Sequence, residues 1–158
     1  MSEVTIAFLG ATDTVTGSRF LITTPRSKVL VDCGLFQGLK SVRLKNWEPF
    51  PVDVSTIDAV LLTHAHLDHC GYLPLLSRQG YVNPIYSTKY TAELASVILH
   101  DSAHLQMEDA KYAAKKGYSK HEIPLALYNS DDADRAVKLF RDVPFRKPIQ
   151  ITEDVTAT

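Results

Sequence analysis

The chain has 158 residues, 45% apolar and 22% charged, which is enough for one domain with a buried core and excludes a disordered or low-complexity polypeptide. A formal net charge of −1 and a sequence pI near 6.6 exclude the strongly basic field that marks many autonomous nucleic-acid modules, so a polyanionic substrate would have to meet local positive patches. Two cysteines, Cys33 and Cys70, are too few for a disulfide scaffold and lack CxxC spacing, so they read as small core residues of a reduced protein. The amino terminus has no basic stretch ahead of its apolar one, and no uninterrupted apolar run approaches the ~20 residues of a membrane span, which predicts a soluble, cytoplasmic protein.

In chain order, Val4 to Leu9, Arg19 to Thr23 and Lys28 to Val31 are short β-rich runs separated by turn chemistry at Gly10 to Gly17 and at Thr24-Pro25-Arg26-Ser27. They predict a sheet that begins with hairpin or meander connections. Ile57 to Leu62 is a continuous apolar run of the kind that suits a strand buried on both faces. Gly71 to Gln79 carries Leu73, Leu75 and Leu76 ahead of Gly80, a short helix with a glycine stop, and Pro84 to Ser87 supplies another strand. From Thr88, the near-helical spacing of Tyr90, Leu94, Val97, Ile98 and Leu105 predicts a long helix to about Lys116. A further helix is expected over Ser130 to Arg141, started by the acidic Ser130-Asp131-Asp132 turn and ended before Pro144. Pro148 to Thr152 and the final Val-Thr-Ala-Thr read as strands.

The chemistry is concentrated directly after the Ile57 to Leu62 run. Residues 63 to 71 read Thr-His-Ala-His-Leu-Asp-His-Cys-Gly, placing three histidines and an aspartate within six residues. If His64 to His66 continue the extended strand, a period of two points both imidazoles the same way, which suits two ligands on one zinc ion. Asp68 and His69 follow at a strand-to-helix turn, where neighbouring side chains diverge, and can face a second ion. Two ions about 3.5–4 Å apart can share a hydroxide, lower the pKa of water towards ~7 and stabilise charge developing on a phosphoryl or carbonyl oxygen. Asp68 is the candidate catalytic residue, orienting that hydroxide or accepting its proton. A purely structural role, histidines capping a strand end, leaves that many donors hard to satisfy without a metal.

His64-Ala65-His66-Leu67-Asp68-His69 resembles the HxHxDH motif of the metallo-β-lactamase superfamily, whose αββα sandwich holds one or two zinc ions at the sheet edges. Asp32, in Leu30-Val-Asp-Cys-Gly-Leu-Phe-Gln-Gly38, matches that superfamily's first motif aspartate, for which the resemblance implies a role behind the ligands, fixing ring orientation through hydrogen bonds to the histidine loop. Val15-Thr-Gly-Ser18, Leu99-His-Asp-Ser102 and the helix from Asp131 extend the likeness through nearly the whole chain. They resemble the β-CASP branch that processes RNA, including bacterial and archaeal relatives of the cleavage and polyadenylation specificity factor nuclease subunit. The resemblance implies a zinc-dependent ribonuclease with RNA as partner and no membrane.

The same resemblance implies further ligands: a histidine in a Gly-His motif, an aspartate bridging both ions and a later histidine. After His69 the remaining histidines are His100, His104 and His121, none preceded by glycine. His100 and His104 share a helix face but lack HExxH spacing and read as structural, as does His121 between Lys120 and Glu122. Lys111, Lys115, Lys116 and Lys120 read as a solvated helix end rather than a phosphate contact. The fold class expected is therefore α/β, the amino-terminal half of the αββα sandwich: a mixed sheet with helices on its outer face, truncated, with residues 1–158 a partial domain lacking its remainder and the β-CASP insertion. With roughly two protein ligands per ion, the chain alone should bind metal poorly and be inactive. Its inner sheet face should be uncovered unless a homodimer partner or a missing carboxy-terminal portion packs there. Two alternatives stand beside this reading: a glyoxalase-type thioesterase or lactonase, whose third histidine usually arrives sooner after the motif, and a non-catalytic, self-associating fragment.

Overall fold

The computed structural model describes residues 3–116 and 125–158, so the expectations for Lys120 and His121 lie outside the described residues. One six-stranded sheet organises the chain, with strands in the order β1 (Thr5–Gly10), β2 (Arg19–Thr23), β3 (Lys28–Val31), β4 (Ala59–Leu61), β5 (Ile85–Ser87) and β6 (Phe140–Asp142). The first three pair antiparallel, as short turns permit, and β3 to β6 pair parallel, each joined by a crossover. The result is the expected mixed sheet.

Alternation fixes the two faces. Leu21, Leu30, Val60 and Ile85 are cross-strand neighbours and all are buried beneath the helices. After two single-turn helices, α1 (Lys40–Arg43) and α2 (Leu67–Cys70), the chain supplies their partners: Leu73 and Leu76 of α3 (Leu73–Arg78), Ala95, Leu99 and Ala103 of α4 (Lys89–Lys116), and Ala133 and Ala136 of α5 (Ser130–Val137). Small residues dominate the inner faces of α4 and α5, which lets these helices lie close to each other and to the sheet.

The opposite face carries Ile6, Phe8, Phe20, Ile22, Val29, Val31, Ala59, Leu61 and Tyr86. A two-stranded hairpin, β7 (Ile149–Gln150) with β8 (Thr156–Ala157), covers its middle: Ile149, Ile151, Val155 and Ala157 pack on Val29, Ala59, Leu61 and Tyr86. The hairpin turn is tied to the β2–β3 turn by Arg26 to Glu153 at 2.6 Å and by Ser27 to Thr152 at 2.8 Å. Cover stops short of β1, where Ile6 is 56% and Phe8 64% exposed and Phe8 is held by edge-to-face contact with Phe20. The inner face is thus half covered by the chain's own carboxy-terminal hairpin, not bare as expected.

One element departs from the sequence reading. The helix expected over Ser130 to Arg141 ends at Val137, and Phe140–Asp142 becomes β6, in register Ile85↔Phe140 and Tyr86↔Arg141. The parallel edge of β5 needs a partner for its backbone groups, and that tertiary demand outweighs the local preference for another helical turn. The helix also starts differently: Asn129 is its cap, accepting from Asp132 N while the Asp132 carboxylate accepts from Asn129 N, with Arg78 and Arg135 balancing the buried Asp132 charge. Both cysteines are fully buried and free, and burial pushes each thiol up to about 12. Among the described residues no helix is long and apolar enough to cross a membrane.

Candidate metal centre

Three segments meet at the carboxyl ends of the parallel strands β3 and β4 and the amino end of the antiparallel β2. The loop after β3, Asp32 to Leu35, lies against α2 (Leu67–Cys70), and the segment before β2 lies against both. Five backbone hydrogen bonds lace them: Cys33 N to His69 O at 2.8 Å, Leu35 N to Leu67 O at 3.1 Å, Ser18 N to Asp68 O at 2.9 Å, Gly34 N to Ser18 O at 3.0 Å and Tyr72 N to Cys33 O at 2.9 Å. The contact is so close that a Cβ at Gly34 would fall 1.6 Å from the Asp68 carbonyl oxygen. Only glycine fits there.

Asp32 turns the chain into this loop with φ of 58°, in the left-handed region that aspartate tolerates better than most residues. Its side chain is buried. Oδ1 accepts from Thr63 N at 2.8 Å, Thr63 Oγ1 lies 2.8 Å from Oδ2, and His69 Nδ1 lies 2.7 Å from Oδ2. A carboxylate accepts only, so Nδ1 of His69 carries a proton, and in the neutral tautomer this selects, Nε2 has the lone pair and lies 3.6 Å from Asp68 Oδ2. Thr63 gives its hydroxyl proton to Asp32 and accepts from His64 Nδ1 at 2.9 Å, which leaves His64 Nε2 unprotonated as well.

His64 Nε2 then faces His66 Nδ1 at 3.1 Å. Two imidazole nitrogens at that distance share either one proton or one cation. Two histidines on one tetrahedral zinc, with Zn–N of about 2.0–2.1 Å, have their nitrogens about 3.3 Å apart. The observed separation lies close to that edge length, and the His64 ring also lies 4.0 Å, centroid to centroid, from the ring of His69. Partial burial holds His64 below the ordinary imidazole range, with the neighbouring His69 and His66 rings adding to the effect. A histidine kept neutral is a histidine ready to ligate.

The four donors come in two pairs, His64 with His66 and Asp68 with His69. Among the described residues no group of three or more His, Cys, Asp or Glu side chains converges on one point. The cluster therefore brings at most two such side chains to any one point, fewer than the three or more protein ligands usual for zinc. Neighbouring contacts stiffen the loop from behind, with Ala65 buried between the half-buried His64 and the exposed His66 and its carbonyl oxygen accepting from Cys70 Sγ at 3.4 Å.

His100 and His104 stay apart from this cluster. His100 Nδ1 meets Ser96 O at 2.7 Å and its Nε2 meets Asp134 Oδ1 at 2.8 Å, tying α4 to α5, while His104 is exposed on the same helix. Two contributors escaped the sequence reading. Thr63 was visible only as the residue before the motif, though a hydroxyl between a buried aspartate and a histidine is a recognisable relay. Arg19 was visible as a charged residue on the core side of the β2 alternation, two positions before Leu21.

Residues 13–144 match the sequence profile of the metallo-beta-lactamase superfamily, and the chain belongs to that superfamily. Among curated proteins it is similar to Ribonuclease TTHA0252 of Thermus thermophilus, 48% identical over 99 residues covering 63% of this chain and 22% of the ribonuclease. It is also similar to the transcription termination factor FttA of Methanococcus maripaludis, 36% identical over 149 residues covering 87% of this chain and 23% of that protein. An Integrator complex subunit 11 homolog of Dictyostelium discoideum is 32% identical over 146 residues, covering 83% of this chain and 19% of that protein. The chain thus spans about a fifth of the length of these relatives.

Proposed function

We propose that this chain supplies the first four donors of a dinuclear metal centre, and that the complete protein is a zinc-dependent hydrolase of the β-CASP branch that cleaves phosphodiester bonds in RNA. The observation that carries the reading is the paired arrangement of ligand atoms, with His64 Nε2 and His66 Nδ1 3.1 Å apart and His69 Nδ1 committed to Asp32. His64 and His66 would hold one ion, and Asp68 and His69 the other. Bound zinc would supply Lewis acidity and a lowered pKa for water, towards ~7.

The chain's own residues supply the rest. Asp32 fixes the tautomer and plane of His69, and Thr63 does the same for His64. Asp68, partly open to solvent, keeps one carboxylate oxygen to orient an attacking water or take its proton. The nuclease and termination-factor names of the relatives favour RNA over a small thioester or lactone. In this reading residues 1–158 are one part of a metallo-β-lactamase domain, the uncovered Ile6 and Phe8 edge meets a further layer of that domain or a second copy of the chain, and two buried free thiols suit a cytoplasmic setting. The test is zinc-dependent RNA cleavage by the polypeptide that carries this chain. Cleavage is lost on His66→Ala, and undiminished cleavage by that variant overturns the proposal.

A further inference from the structure

Arg19 is a charged side chain placed where a core residue belongs. It is 3% exposed, and its guanidinium lies 4.0 Å from the ring centre of Tyr72, 4.8 Å from that of Phe36 and 5.5 Å from that of Phe50. Nε and Nη2 both donate to one acceptor, the carbonyl oxygen of Gly34, at 3.1 and 2.9 Å. A buried arginine with no carboxylate partner among the described residues is costly, and burial holds its pKa below the ordinary arginine value. An aliphatic residue would fill the same space at lower cost. What an aliphatic residue lacks is a grip on the Gly34 peptide.

That peptide sits against the backbone of Asp68 and His69, closer than any other side chain would permit. It is also bracketed by the backbone bonds of Cys33 to His69 and Leu35 to Leu67. We propose that Arg19 is a positioning residue: by forking onto the Gly34 carbonyl inside an aromatic cage, it sets the seat of α2 and so the placement of the Asp68–His69 donor pair. The aromatic rings hold the guanidinium plane, the fork holds the peptide, and the peptide holds α2. His64 stands on the preceding loop, anchored through Thr63, whereas the His66 carbonyl oxygen accepts from His69 N and Cys70 N at 2.9 Å and so is joined to α2. The proposal rests on the reading of Asp68 and His69 as metal donors.

The test is amide hydrogen exchange by NMR on the metal-free full chain, followed by a zinc titration, with Arg19→Lys, which keeps charge and length but not the fork. The Ser18, Cys33 and Leu35 amides exchange faster by about tenfold or more while Val60 and Leu62 in the sheet keep their rates. Zinc-induced shifts at His69 then need about tenfold more zinc, a larger displacement than that at His64, which Thr63 holds independently of α2. A merely structural arginine would raise all amide rates together and move His64 and His69 equally; either that uniform change or no change overturns the proposal. Should Arg19→Lys fail to fold, the Nε–H of Arg19 in the unsubstituted chain decides, since slow exchange supports a fixed fork and exchange at the rate of a free arginine overturns it. If the unsubstituted chain shows no zinc shifts at any of the four donors, the metal reading fails, and the selective change in amide exchange still decides whether Arg19 positions α2.

Discussion

Asp32→Asn removes one charge and almost no volume, and so isolates what the carboxylate does. Asparagine tolerates the φ of 58° at this position, so the backbone is not strained by the change. The carboxylate serves three donors, Thr63 N, Thr63 Oγ1 and His69 Nδ1, and the amide has one oxygen to offer them. Losing one charge-assisted bond in a buried place destabilises the fold by roughly 1.5–3 kcal/mol. If the new NH2 faces His69, the ring must present a lone pair at Nδ1, and its proton moves to Nε2, closing the atom that faces Asp68. Metal affinity should therefore fall roughly 10–100-fold, the effect typical of a lost hydrogen bond behind a ligating histidine. Urea unfolding of the metal-free chain reads the first quantity, and a zinc titration followed at the His69 ring resonances reads the second. An unchanged titration in a variant that unfolds earlier would show that Asp32 only stabilises the loop, and would refute the orienting role.

Three further outcomes are expected. Gly34→Ala sets a methyl 1.6 Å from the Asp68 carbonyl oxygen and should cost about 3 kcal/mol or more in urea unfolding, well beyond an ordinary glycine-to-alanine change. The Asp134 hydrogen bond, and next that of the Ser96 carbonyl, raise the His100 pKa, so the link between α4 and α5 contributes fully below the unfolded imidazole value and is lost as pH rises through the folded one. Thermal stability should consequently drop more across neutral pH in the unsubstituted chain than in Asp134→Asn; equal slopes would remove this contact from the account. Cys33 and Cys70, with thiols pushed up to about 12, should react with a disulfide reagent at neutral pH only as fast as the chain unfolds, and rapid modification in the folded state would contradict their burial.

The strands Arg19–Thr23 and Lys28–Val31 were legible to the residue because alternation and flanking turn residues act over a few positions. The clustering of His64, His66, Asp68 and His69 was legible for a similar reason, since these residues are neighbours in sequence. The end of α5 was not, because Phe140–Asp142 takes its conformation from β5, more than fifty residues earlier. The same is true of the Ser27, Thr152 and Arg26, Glu153 contacts that seat the hairpin on the sheet. Around the site, hydrogen bonds from the histidine loop to Asp32 were expected from the resemblance, but that His69 makes one of them, and the roles of Thr63, Gly34 and Arg19, depend on three loops meeting. No local pattern records that meeting, though an arginine in phase with Leu21 on β2 is the trace it leaves.

The most direct test of the central claim is a zinc titration of the full chain followed residue by residue by NMR. The account predicts shifts confined to the side chains of His64, His66, Asp68 and His69 and their hydrogen-bonding neighbours Asp32 and Thr63, with His100 and His104 unmoved. Shifts centred on His100 or His104, or no shifts at any histidine at saturating zinc, would contradict it.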